Sequence, residues 1–293
     1  MDSIRDITLL ACALLLALLP SSGRAGPAAP DRAKDAESSL FAQSAAETLN
    51  RDFPSRDISF LLLDARTGRV LTSRWERIDS PISLGSLVKP FTALAYGEQH
   101  DFHYPAHICR GTATGCWLPR GHGEIGLTLA IAYSCNSYFR MLTANLIAAD
   151  VAPIAARFGI EPPDRDATGP ALAGIGSRWR ISPPRMARAY LELLRRGEQP
   201  DVREILAGMA QSAQHGTGAE VDRALPFPDA LVKTGTAPCT HSPRAPGDGF
   251  AMVLTPADQP QILLMVRVHG VPGAQAAKAA GQMLRRIEGR FKD

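Results

Sequence analysis

A chain of 293 residues with 45% hydrophobic content can bury a sizeable core, in one large domain or two smaller ones. This balance excludes a disordered or fibrous chain, and a net charge of only +3 implies no nucleic-acid partner.

The first 25 residues have the layout of a secretory signal peptide: Arg5, an apolar run from Ile7 to Leu19, then small residues around a cut after Ala25. The run is shorter than the roughly 20 apolar residues that cross a bilayer, so a membrane anchor is expected only if the segment stays uncleaved. The mature protein is expected to be extracytoplasmic, periplasmic or secreted. Cys12 sits inside the apolar run, too early to mark a lipid-attachment site. Residues 26–39, rich in small and charged residues with prolines, read as a flexible linker, and the fold proper starts at residue 40.

Ile58 to Asp64 is strongly apolar, Arg66-Thr67-Gly68-Arg69 supplies turn residues, and Val70 to Trp75 resumes an extended pattern, which predicts a β-hairpin. From about residue 89 to 225 the pattern turns helical. Phe91 to Tyr96, Leu127 to Ala149, Val151 to Phe158, Ser182 to Arg196 and Val202 to His215 carry apolar residues three and four apart, with no hairpin signal between them. Strand character returns over Ala230 to Thr234, Gly249 to Leu254 and Gln261 to Val268. The closing segment, Ala274 to Phe291, is a helix with a mostly alanine face suited to docking on a sheet. The expected fold is α/β of the α+β type: an antiparallel sheet built from both ends of the chain and flanked by helices, with an all-helical region inserted between them. A cleft is expected where sheet and insert meet.

Three polar motifs fall in that frame. Ser86-Leu87-Val88-Lys89 puts a hydroxyl and an amine one turn apart if Ser86 opens a helix, and Pro90 is compatible with a first turn. A serine becomes a nucleophile once a base takes its proton, and Lys89 serves as that base when burial and a nearby charge such as Lys233 lower its pKa. Ser134-Cys135-Asn136 interrupts an apolar stretch, so it reads as a break between helices. There Ser134 relays a proton and Asn136 holds a substrate amide. Lys233-Thr234-Gly235-Thr236 ends a strand, with a lysine and two hydroxyls suited to a carboxylate and Gly235 leaving room for an extended substrate. The N–H groups of Thr236 and Ser86 make an oxyanion hole in this reading. Ser-x-x-Lys and Ser-x-Asn are individually cheap patterns. Their order before Lys-Thr-Gly is what carries weight.

With the signal removed, Cys109, Cys116, Cys135 and Cys239 remain in an oxidising compartment. Cys109 and Cys116 close a short loop and are the disulfide candidates, while Cys135 reads as a small buried hydrophobe. No metal and no cofactor are expected: Cys109, Cys116 and His122 show no evident fourth ligand.

The chain resembles the penicillin-binding protein transpeptidase family over roughly Ser59 to Ile287. The resemblance rests on Gly85-Ser86-Leu87-Val88-Lys89-Pro90-Phe91, on Cys116-Trp117 with Gly121-His122-Gly123 through Ser134-Cys135-Asn136-Ser137-Tyr138-Phe139, and on Ser182 to Tyr190 and Gly216-Thr217-Gly218 before the third motif. It implies the transpeptidase fold and a serine D,D-transpeptidase or D,D-carboxypeptidase acting on peptidoglycan stem peptides. It also implies an acyl-enzyme on Ser86 that β-lactams trap as covalent inhibitors. High-molecular-weight members carry an added N-terminal module, and the short stretch before residue 40 argues against a full elongation or division role. A serine β-lactamase is the first alternative, disfavoured because no Glu-x-x-Leu-Asn segment follows the second motif and Asn136 departs from the class D pattern. A non-catalytic β-lactam or muropeptide sensor is the second.

Overall fold

Helix α1 (Ala29–Asp52) opens the part of the chain that the computed structural model describes, namely residues 29–239, 244–245 and 247–288. The signal segment 1–25 and the end of the closing helix at Phe291 lie outside the described residues. The linker expectation for 26–39 is corrected: the chain is helical from Ala29. Ala29, Arg32, Ala33, Lys34, Ala36 and Glu37 are good helix formers, and Pro30 falls in the first turn, where a missing N–H costs nothing.

From Ser39 on the chain forms one body. The predicted hairpin is present as β1 (Ile58–Asp64) and β2 (Val70–Arg74). Asp64 shapes its turn by accepting hydrogen bonds on Oδ1 from the N–H of Arg66 (3.0 Å) and of Thr67 (2.8 Å). Then follow the two-residue β3 (Ile82–Ser83), a 3-10 turn (Gly85–Val88) and α2 (Lys89–Gln99). Next comes a small hairpin of β4 (His107–Cys109) and β5 (Gly123–Ile125), with a second 3-10 turn (Gly111–Thr114) in its loop.

The helices continue with α3 (Leu127–Ala132), α4 (Asn136–Leu142), α5 (Ala148–Arg157) and α6 (Gly169–Leu172). After β6 (Arg180–Ile181), which pairs with β3, come α7 (Pro183–Arg195), α8 (Pro200–His215) and α9 (Ala219–Ala224). The chain returns to strands as β7 (Leu231–Ala237), β8 (Asp248–Thr255) and β9 (Ile262–Val268) before α10 (Gly273–Glu288). The insert is therefore not all-helical. Three-residue strands such as β4 and β5 are too short to print an alternating pattern on the sequence.

The main sheet is antiparallel in the order β2-β1-β9-β8-β7, so the last three strands add to the edge of the first hairpin. Period-2 alternation sends each strand to two cores. Phe60, Leu62, Val253, Leu264 and Val266 face a core completed by Ala45 and Leu49 of α1 and by Ala277, Ala280 and Leu284 of α10. Leu61, Leu63, Met252, Leu263 and Met265 face the helical region. Burial on both faces is why β1 reads as a continuous apolar run.

One ring ties the start of the insert to this second core. Phe91 of α2 is fully buried, edge-on to Phe158 at 5.2 Å and to Tyr190 of α7 at 5.7 Å. Phe91→Ala is expected to cost about 3–5 kcal/mol, by lost transfer energy plus the cavity left behind. Urea unfolding would read this as a lower midpoint at unchanged slope. A loss under about 1 kcal/mol would mean that the site collapses and that the ring is not what joins these helices.

Candidate active site

The first motif is shaped by its neighbour, Gly85. Its φ is +57°, and a Cβ there would lie 2.2 Å from the Thr236 carbonyl oxygen, so only glycine lets the Ser86 turn press against β7. Ser86 follows, half-buried, in the 3-10 turn that runs into α2. The turn is pinned from below, where the buried Tyr190 hydroxyl donates to the Leu87 carbonyl at 2.8 Å. Lys89 is the first residue of α2, and the N-terminal end of the helix dipole faces the turn that carries Ser86.

The second motif is the predicted break, lying between α3 and α4. Ser134 has φ +50°, uncommon for a residue other than glycine, and Asn136 begins α4 behind Cys135. The loop is held by N–H bonds from Ser134 to the Ile131 carbonyl (3.2 Å) and from Cys135 to the Ala130 carbonyl (2.9 Å). This conformation aims the Ser134 hydroxyl at both lysines. Lys233 Nζ donates to Ser134 Oγ at 2.9 Å and to the Thr234 carbonyl at 2.8 Å. Lys89 Nζ donates to the Ser134 carbonyl at 2.8 Å and to Asn136 Oδ1 at 2.7 Å, and lies 3.5 Å from Ser134 Oγ.

Both lysines are 0% exposed, and among the described residues neither forms an ion pair with a carboxylate. Burial pulls the Lys89 ammonium down to about 7; the cysteine sulfurs of Cys135 and Cys116 act against that shift and Arg140 acts with it. Lys233 is pushed well below its ordinary range, by burial first and by the charge of Lys89 second. The sequence leads to the expectation that burial and a nearby charge such as Lys233 depress Lys89; burial does so, and Lys233 is not among the causes on Lys89. Desolvation is the dominant cause for both, and the mutual repulsion appears on Lys233.

The third motif lies on β7, the edge strand of the main sheet. Gly235 meets the Leu84 carbonyl, which would be 2.4 Å from an added Cβ. Thr234 Oγ1 donates to Thr217 Oγ1 at 2.6 Å, and Thr217 hydrogen-bonds in turn to the Ala132 carbonyl through both its hydroxyl and its N–H. Thr236 Oγ1 accepts from the Gly273 N–H at 2.9 Å, which leaves its own proton to donate.

A cleft of about 460 Å³ lies over these groups. Ser86, Ser134, Asn136, Thr234, Gly235 and Thr236 line it, and the two lysines stand behind Ser134. Thr217, Trp117 and Ile175 line it as well, although the sequence reading gave them no role. Thr217 had one signal, the pattern Gly216-Thr217-Gly218 ahead of the third motif. The disulfide expectation is corrected. Cys109 and Cys116 are free thiols, because both sulfurs turn to His122 Nδ1, at 3.5 and 3.6 Å, rather than to each other.

Residues 58–288 match the family described as the penicillin binding protein transpeptidase domain. The chain belongs to the penicillin-binding protein transpeptidase family. The mixed fold with its five-stranded antiparallel sheet is that of the family's solved domains. Penicillin-binding protein 2 of Pseudomonas aeruginosa superposes with a TM-score of 0.69 at 17% identity, over 86% of this chain and 74% of that one. The transpeptidase domain of Burkholderia pseudomallei penicillin-binding protein 3 gives 0.66 at 17% identity, over 88% and 94%. Penicillin-binding protein 2 of Helicobacter pylori, solved in complex with MreC, gives 0.70 at 15% identity, over 84% of this chain and 62% of that one. At such identities the likeness is one of fold. No curated protein matches the chain.

In this transpeptidase domain Thr217 is expected to position the third motif. Thr217→Val removes both hydrogen bonds of its hydroxyl, and the loss of the one from Thr234, a neutral bond worth about 0.5–1.5 kcal/mol, should lower the second-order rate of acylation by penicillin by about 2- to 12-fold. An unchanged acylation rate would remove Thr217 from the site.

Proposed function

We propose that the chain is a serine acyltransferase of the bacterial cell wall, a D,D-transpeptidase or D,D-carboxypeptidase acting on peptidoglycan stem peptides outside the cytoplasm. The family supports peptidoglycan transpeptidation in general. The observation that carries the finer reading is the Ser134 hydroxyl held between Lys89 and Lys233, beside a cleft that Ser86 lines.

In this reading neutral Lys89 takes the Ser86 Oγ proton, and Oγ attacks the carbonyl carbon of the scissile D-Ala-D-Ala amide. The developing oxyanion is met by the N–H groups of Ser86 and Thr236. The C–N bond then breaks while a proton passes from Lys89 through the Ser134 hydroxyl to the leaving amine. This yields an ester on Ser86 and free D-Ala. The Thr236 hydroxyl, at the cleft edge of β7, meets the terminal carboxylate, while Lys233 stays buried behind Ser134 and holds its hydroxyl. Asn136 has its carbonyl engaged by Lys89, so it offers its NH2 to the acyl carbonyl of the stem. Attack on the ester by an amine gives cross-linking, and attack by water gives carboxypeptidation. The extracytoplasmic location is supported by the layout of residues 1–25.

Intact mass spectrometry with a labelled penicillin tests the reading. A stable adduct of one drug per chain is expected, absent in Ser86→Ala, together with release of D-Ala from a stem pentapeptide. Rapid hydrolysis of the drug without a lasting adduct would favour a β-lactamase. An adduct without any turnover of the pentapeptide would favour a sensor, and no adduct at all would sink the acyl-enzyme.

A further inference from the structure

Against the second motif three thiols and an imidazole converge. Cys109 ends β4, Cys116 follows the 3-10 turn of the hairpin loop, His122 immediately precedes β5, and Cys135 stands between Ser134 and Asn136. The cysteines are 2%, 5% and 0% exposed. His122 Nδ1 lies 3.5 Å from Cys109 Sγ and 3.6 Å from Cys116 Sγ, and Cys116 Sγ lies 3.8 Å from Cys135 Sγ. All four atoms are within 4.8 Å of one another.

The distances of 3.5, 3.6 and 3.8 Å match three edges of a coordination tetrahedron, and the other three lie within 4.8 Å. Bond lengths of about 2.3 Å to sulfur and about 2.0–2.1 Å to nitrogen at tetrahedral angles require about 3.8 Å between sulfurs and about 3.6 Å between sulfur and nitrogen. Apolar packing of thiols accounts for their burial, but it gives no reason for an imidazole nitrogen to point at two of them. A disulfide requires about 2.05 Å between two sulfurs and would leave the third sulfur and the imidazole without a role. The ring is also fixed in orientation. It stacks on Tyr133 at 5.1 Å, meets Trp117 edge-on at 5.6 Å, and Trp117 Nε1 donates to the Tyr133 carbonyl at 3.1 Å.

We propose that Cys109, Cys116, His122 and Cys135 bind one zinc ion in a closed structural site. Binding displaces the protons of three thiols, leaves the imidazole neutral and gives a centre of net charge −1. Zinc has no redox chemistry of its own, and four protein ligands leave no position for water, so the ion holds structure rather than reacts. Soft thiolates with one imidazole suit zinc over magnesium or calcium. The ion would clamp the hairpin loop that carries Trp117 to the backbone between Ser134 and Asn136. It would also keep Cys109 and Cys116 from oxidising to a disulfide in an extracytoplasmic compartment.

The test uses the full chain purified under non-reducing conditions. Elemental analysis is expected to give one zinc per chain. After chelation, one equivalent of Co2+ should restore binding with the intense d–d bands of a tetrahedral ion and a sulfur-to-cobalt charge-transfer band, both displaced by added zinc. Cys116→Ser should weaken or abolish that spectrum, and Cys239→Ser should leave it intact. Because Cys116→Ser can fail to fold, stripping and reloading the unmutated chain is the second measurement. Its labelling by penicillin should fall by about tenfold on stripping and recover with zinc. The proposal is overturned if the stripped chain takes up no Co2+, if the cobalt spectrum is octahedral or unchanged in Cys116→Ser, or if peptide mapping finds Cys109 and Cys116 joined as a disulfide. The metal readouts do not depend on acylation, so failure of the site and failure of the peptidase reading are separable.

Discussion

Two lysine side chains are buried on one serine, and the rest of the structure is arranged to make that tolerable. An ammonium taken out of water costs several kcal/mol unless it is neutralised or paired. Here the partners of Lys89 and Lys233 are carbonyl and hydroxyl oxygens, of Ser134, Asn136 and Thr234, not carboxylates. The protein resolves the conflict by lowering the affinity of both amines for protons. A lysine surrounded by carboxylates would stay charged and could not act as a base. In the proposed mechanism the absence of an acidic partner among the described residues is therefore a requirement of the chemistry.

That requirement explains why three distant parts of the chain meet where they do. Lys89 arrives on the first turn of α2, Ser134 on the break between α3 and α4, and Lys233 on β7. The contact of Gly85 with Thr236 and that of Gly235 with Leu84 lock the Ser86 turn to the strand with no side chain between them. Tyr190 and Phe91 hold the same turn and helix from the core side. The sheet and the insert contribute opposite walls, so the cleft is a property of their interface rather than of either alone.

Much of this was legible in the sequence because the signals were strong and local. The strands β1 and β9 are continuous apolar runs, since both of their faces are covered, and the break at Ser134 shows as polar residues interrupting an apolar helix pattern. The β4–β5 hairpin left no trace, being three residues long on each side. The helix over Ala29 to Ser38 was obscured by the prolines and charges that also mark linkers. Thr217 escaped because its role exists only through Thr234 and the Ala132 carbonyl, groups far apart along the chain. The sulfur cluster escaped for a related reason. By sequence Cys135 reads as a small buried hydrophobe, and only the fold brings it to the loop that carries Cys116 and His122.

The second motif is thus gripped from two sides by different chemistry. Local backbone hydrogen bonds hold its central residues against a cost of order 1–3 kcal/mol for the left-handed serine, and α4 beyond it is only two turns long, so tertiary contacts add to that hold. Two lysines engage Ser134 from the cleft side, while the thiol of Cys135 faces the hairpin loop. In the proposed mechanism those lysine contacts exchange partners during the reaction, because the Ser134 hydroxyl there passes a proton. The sulfur side has no such duty. A loop that must stay in place while its hydrogen bonds change needs one anchor that takes no part in the change, and Cys135, packed against Cys116 and directly behind the catalytic-motif backbone, is where the fold puts it.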